Sequence, residues 1–136
     1  MIVRTQRAEV RGGFTLMEML VVVAIIVLLA ALAAPIVMGR LEEAKKSKAQ
    51  VDCKTLVDQA KMFKLKYGDF PQTLGQLTQP GADGSAPFIE ARYLIDPWGH
   101  EYQYTPFGQH NQVGDPEVWS MGPNMQNPNS MVGSWQ

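Results

Sequence analysis

The chain is poor in the side chains that build most soluble sites. It has a single cysteine, Cys53, in 136 residues, which excludes an intramolecular disulfide and leaves the redox compartment unmarked. Its two histidines, His100 and His110, have no metal partner at ligand spacing, so they cannot form a zinc cluster with Cys53. No G-x-S-x-G, P-loop or H-E-x-x-H pattern occurs, and no acid pair clusters. The expectation is therefore no catalytic residue, no cofactor and no metal, with a membrane-anchored enzyme as a remote alternative. Charge is absent from Met19 to Gly39, glycine and proline are absent from Arg40 to Tyr67, and Asp and Glu are absent from Gly122 to Trp135.

What is present is segregated. Of the 62 apolar residues, 22 lie between Phe14 and Met38, and the other 111 positions are only about 36% apolar. A run of 21 uncharged residues from Met19 to Gly39 is long enough, at about 1.5 Å per residue, to cross the roughly 30 Å hydrocarbon core of a bilayer. Arg4, Arg7 and Arg11 precede it. By the positive-inside rule they stay cytoplasmic and send residues 40–136 across the membrane. A cleaved secretory signal is the competing reading, but the run exceeds the usual apolar core of about 7 to 15 residues and leads straight into basic, helical sequence.

The charges also divide. Residues 40–66 sum to +4 and residues 67–136 to −6, a distribution unlike that of a uniformly basic nucleic-acid binder. From Arg40 to Tyr67, Ala49, Cys53, Leu56, Ala60, Phe63 and Tyr67 recur at alternating spacings of 4 and 3, the apolar stripe of an amphipathic helix. Gly68 is placed as its C-cap. Cys53 lies on the stripe and reads as a buried structural thiol, and the stem lysines read as a solvated face or as partners for acids of neighbouring copies. Beyond Tyr67, 17 glycines and prolines exclude long helices. Short strands are expected at Ala91–Ile95, His100–Thr105 and Glu117–Met121, with Tyr102 and Tyr104 sharing a face. Asp96, Pro97, Trp98 and Gly99 fit a type I turn between the first two. Tyr102 or Tyr104, Trp98 and Trp119 are expected to pack on the stem, and His100 to lie on a strand surface.

Glu18 stands at the start of the apolar run, where an acid in hydrocarbon costs about 2.5 to 3.5 kcal/mol. The segment Arg11-Gly12-Gly13-Phe14-Thr15-Leu16-Met17-Glu18 resembles the prepilin signature of a basic leader, glycine, phenylalanine, Thr-Leu-x-Glu and an apolar helix. The resemblance implies cleavage by prepilin peptidase between Gly13 and Phe14, N-methylation of Phe14, and filament assembly through Glu18, which neutralises a neighbour's N-terminus. It implies for Pro35 a kink or melting point, where proline removes a backbone hydrogen bond. Tyr67-Gly68-Asp69-Phe70-Pro71, Leu74-Gly75-Gln76-Leu77, Asp96-Pro97-Trp98-Gly99 with Tyr102, and Ser120-Met121-Gly122-Pro123 extend the likeness to residues 11–136. They are similar to the major pseudopilins of type II secretion systems.

That family implies a type IV pilin-like α+β fold: a long N-terminal helix packed on a small C-terminal antiparallel sheet with long loops. Three segments are expected: a cleaved leader over 1–13, a transmembrane and filament-core helix over 14–39, and a periplasmic domain over 40–136, with the stem at 40–67 and sheet and loops at 68–136. The implied function is that of a structural subunit of an inner-membrane-anchored periplasmic pseudopilus, polymerised to drive export of folded proteins. Its implied partners are copies of itself, prepilin peptidase, an inner-membrane assembly platform, minor pseudopilins and the membrane, without nucleic acid. A type IV pilin for adhesion, motility or DNA uptake is the alternative. Family members of the major pseudopilin kind end in an acidic loop that holds calcium. Here Asn124, Asn127, Asn129 and Ser130 occupy that region, so the expectation is that no tight calcium site exists.

Overall fold

A computed structural model describes residues 12–110 and 114–136, so the arginines of the expected leader lie outside the described residues. The chain divides into two units, Met1–Gly39 and Arg40–Gln136. One α-helix, α1 (Leu16–Tyr67), runs for 52 residues with Pro35 inside it. Its first part exposes every residue, including Leu20, Val23, Ile26 and Leu29. By length and composition it is apolar enough to cross a membrane. It ends as expected: Gly68 takes φ +95° and its N–H donates to the Lys64 carbonyl at 2.8 Å, a left-handed cap that glycine adopts without Cβ strain.

The second unit builds its core on the stem part of α1. Ala49, Cys53, Leu56, Val57 and Ala60 are buried, so the stripe read from the sequence is the packed face, although Tyr67 at its end is exposed. Leu74 and Leu77 join this core from a 3-10 helix, Leu74–Thr78. Three residues per turn place positions i and i+3 on one face, which is why both leucines turn inward.

The sheet is antiparallel, ordered β1 (Gln103–Thr105), β2 (Glu117–Ser120), β3 (Val132–Gly133). Its register pairs Tyr104 with Val118 and Ser120 with Val132. Successive side chains alternate between faces, so these four share one face, and Val118 reaches the core beside Cys53 and Tyr102. The Tyr102 hydroxyl also donates to Asp52 of the stem at 3.1 Å. A long helix with its stem half packed on a three-stranded antiparallel sheet is the expected α+β, pilin-like layout.

Several finer expectations fail. Ala91–Leu94 is a 3-10 helix rather than a strand. Of the expected strand His100–Thr105 only Gln103–Thr105 forms, with an isolated Ile95–Glu101 bridge before it. Trp119 does not face the stem: the pleat that turns Val118 and Ser120 inward turns it to the other face, opposite Gly133 and 6.2 Å from the Trp135 ring. Trp98 meets the stem at Glu42, two turns before the first stripe residue, Ala49, through a polar contact rather than apolar packing: its indole N–H donates to the Glu42 carboxylate at 3.0 Å. His100 is no strand-surface residue: its side chain is about a third exposed, with Nδ1 3.8 Å from Asp96.

Candidate functional site

The junction expected to be processed lies immediately ahead of α1. Gly12 and Gly13 have open space around them, and Phe14 is 83% exposed. Thr15 precedes the helix, and the Thr15 N–H donates to a Glu18 carboxylate oxygen at 2.8 Å while the Glu18 N–H donates to the Thr15 hydroxyl at 3.1 Å. These reciprocal bonds form a capping box, which satisfies two backbone donors that a helix start leaves orphaned. The carboxylate also faces the positive end of the helix dipole.

The sequence signal for this box is the Thr-x-x-Glu spacing of Thr15 and Glu18. Glu18 thus caps the start of its own helix. Gly13 and Phe14 lie just ahead of the helix start, and Glu18 lies in its first turn. The structure places Pro35 about 25 Å further along the helix axis, in helical conformation.

The turn Asp96–Gly99 belongs to the second unit. The Gly99 N–H donates to the Asp96 carbonyl at 3.0 Å, and Gly99 has φ +91°. The Asp96 side chain is buried. It accepts from the backbone N–H groups of Trp98 and His100 at 3.0 and 2.8 Å and from the Ser120 hydroxyl. One carboxylate therefore fixes the turn and ties it to the end of β2, which is a structural role. Cys53 is fully buried, its thiol donates to the Val132 carbonyl at 3.6 Å, and burial pushes its pKa up to about 12.

Two features were missed because they join residues distant in sequence. Glu117 is buried and accepts from the His110 backbone N–H, while the His110 ring lies 4.4 Å from that of Trp135 in a stack. Stem lysines meet acids of their own chain: Lys61 pairs with Asp115 at 2.8 Å and Lys66 with Asp83 at 3.0 Å. The Asp83 carboxyl is held below the usual range, first by the Ser85 hydroxyl and then by Lys66.

Among the described residues no group of three or more His, Cys, Asp or Glu side chains could hold a metal. The loop after β2 offers only neutral donors. Asn124 and Asn127 spend their side-chain oxygens on the N–H groups of Gln126 and Asn129, each at 3.0 Å. Calcium takes about six to eight oxygens, carboxylates prominent among them. This loop supplies no carboxylate for such an ion.

An exposed apolar helix with a capped start at a Gly-Phe junction, continuing into a stem packed on a small antiparallel sheet, defines a pilin-like subunit. Comparison with known proteins narrows the class. Residues 36–134 match the family described as type II secretion system (T2SS), protein G, and residues 10–34 match the prokaryotic N-terminal methylation motif. The chain is similar to the type II secretion system core protein G of Dickeya chrysanthemi, at 36% identity over 90% of this chain and 85% of that one. It is 35% identical to the core protein G of Klebsiella pneumoniae over 90% and 93%, and 36% identical to that of Pseudomonas aeruginosa over 82% and 83%. The chain belongs to the type II secretion system protein G family and is a pseudopilin subunit of type II secretion.

Proposed function

We propose that prepilin peptidase cuts this chain between Gly13 and Phe14, that Phe14 becomes the N-methylated first residue, and that the product polymerises into a periplasmic pseudopilus that drives export. Before assembly the subunit sits in the inner membrane with its N-terminus cytoplasmic and residues 40–136 periplasmic. The segments follow from this: leader 1–13, core helix 14–39, soluble domain 40–136. The assembly platform and minor pseudopilins are its partners. It acts as a structural part and carries no chemistry of its own.

The observation that carries this reading is the open Gly13–Phe14 junction directly ahead of a capped helix whose first part is apolar and exposed throughout. Cleavage there releases a cationic amine on Phe14, the residue directly before the Thr15–Glu18 box. In an apolar filament core, the Glu18 carboxylate of one subunit pairs with the Phe14 amine of the next, and breaking a buried pair on one side costs about 3 to 5 kcal/mol. Pro35 supplies the point at which the helix gives way during assembly, since its ring removes one helical hydrogen bond.

The test is Glu18→Gln, because glutamine keeps the capping box and removes only the charge. Co-expressed with the secretion machinery, this variant is expected to be cleaved normally, with Phe14 as the first residue by mass spectrometry, and to lose most sedimentable filament. Wild-type filament yield from Glu18→Gln would sink the pairing model. A wild-type N-terminus other than methylated Phe14 would sink the processing site.

A further inference from the structure

The loop that joins β2 to β3 is closed around one side chain. The Ser130 hydroxyl oxygen lies 2.8 Å from the Met121 carbonyl, 2.6 Å from the Asn124 carbonyl and 2.7 Å from the Asn127 carbonyl. Three backbone oxygens converging on one point resemble half of a cation's coordination shell. Here the point is filled by a hydroxyl, and no acid stands between Gly122 and Trp135 to supply the remaining charge.

A hydroxyl has one proton to give, so the three carbonyls must be accounted for separately. Asn124 O already accepts from the Asn127 N–H at 3.0 Å, and Asn127 O from the Ser130 N–H at 2.9 Å. The Ser130 proton is then best spent on Met121 O, the one contact of the three that reaches back nine residues to the end of β2. The backbone is fitted to this arrangement. Gly122, at φ +74°, lies so close to the Ser130 carbonyl that any Cβ there would collide with it, and its N–H donates to the Ser120 hydroxyl at 2.9 Å.

We propose that the Ser130 hydroxyl takes the place of a bound cation as the crosslink that closes this loop, so that the soluble domain reaches full stability without calcium. The crosslink joins the end of β2 to the last turn before β3. Since β3 is only two residues long, its pairing with β2 depends on the loop being held at both ends. The inference concerns this loop's stability and is independent of how the subunit is processed or assembled.

The experiment uses the full chain in detergent micelles, melted by circular dichroism in excess calcium chloride and in excess EGTA, with hydrogen exchange read over residues 121–131. The wild type is expected to melt within about 1 °C in the two buffers, because a ligand that does not bind the fold cannot shift it. Ser130→Ala is expected to melt about 4 to 8 °C lower in both, the shift that one lost hydrogen bond produces in a domain of this size. Its loop amides should exchange about fivefold faster. A larger calcium-dependent rise in the wild type would overturn the proposal, as would wild-type melting and exchange in Ser130→Ala. Should that variant fail to fold, Ser130→Thr keeps the hydroxyl and is expected to show wild-type exchange; failure of both variants would overturn it as well.

Discussion

The two halves of α1 invert the usual relation between apolarity and burial. Met19–Gly39 has no charge at all, yet every residue in it is exposed. The stem that follows carries twelve charges between Arg40 and Lys66 and still buries Ala49, Cys53, Leu56, Val57 and Ala60. Burial within a chain follows the supply of partners, not the hydrophobicity of the segment alone. The residues after Tyr67 hold enough apolar side chains, Leu77, Tyr102 and Val118 among them, to cover one stripe of one helix. They cannot cover a cylinder that is apolar on all sides, and a helix of that kind needs lipid or other helices around it.

Breaking this comparison at its strongest point means truncating a leucine in each half. Leu56 is 2% exposed and Leu28 is 64% exposed. Leu56→Ala should destabilise the Arg40–Gln136 unit by about 2 to 5 kcal/mol, through lost transfer energy and the cavity left behind. Leu28→Ala should leave that unit within about 0.5 kcal/mol of wild type. Denaturant midpoints of the full chain in detergent, followed by tryptophan fluorescence, read both, since Trp98, Trp119 and Trp135 all lie in the second unit. Equal losses from the two leucines would mean that the halves do not differ as described.

Alkaline pH sharpens the same contrast, because Met19–Gly39 contains no titratable side chain. In the fold, burial above all holds the Cys53 thiol neutral up to about pH 12, and burial, then Asp52, raises the Tyr102 hydroxyl as well. An unfolded cysteine ionises near pH 8.5. The unfolded state therefore binds fewer protons than the native state between these values, and stability falls as pH rises through that window. It is fully present below about pH 8. Urea midpoints from pH 8 to 11 should fall in the wild type and fall less steeply in Cys53→Ala; identical slopes would remove Cys53 as the cause.

The features readable in the sequence were those whose signal lies within a few residues or repeats regularly. The uncharged run, the 4-and-3 stripe and the Gly68 cap predicted α1 and its packed face. Asp96-Pro97-Trp98-Gly99 predicted its turn because Asp, Pro and Gly each serve one position of it. β3 was not visible, since Val132–Gly133 is too short to alternate. Ala91–Leu94 was misread because Ala, Arg, Tyr and Leu carry no period that separates a 3-10 turn from a strand. The face of Trp119 turned on a parity that only the register with Tyr104 and Val132 fixes. At the candidate site, Gly13, Phe14 and Glu18 were legible as a motif, whereas the Ser130 contacts depend on how a loop without period folds back on itself.

The smallest expected effect concerns the opposite charges of residues 40–66 and 67–136. Sequence alone allowed the stem lysines to be spent on solvent or on acids of neighbouring copies, and the structure places two of them, Lys61 and Lys66, on acids of residues 67–136 in their own chain. Lys61 and Asp115 are both close to half exposed, so the pair should contribute less than about 1 kcal/mol. Lys61→Ala and Asp115→Asn, alone and combined, measure that coupling as a double-mutant cycle. It should shrink toward zero in about 1 M salt, where the Debye length is near 3 Å. A coupling that persists at high salt would mean the pair is held by packing around the lysine stem rather than by charge, and the stem would then differ from the apolar half in shape as much as in electrostatics.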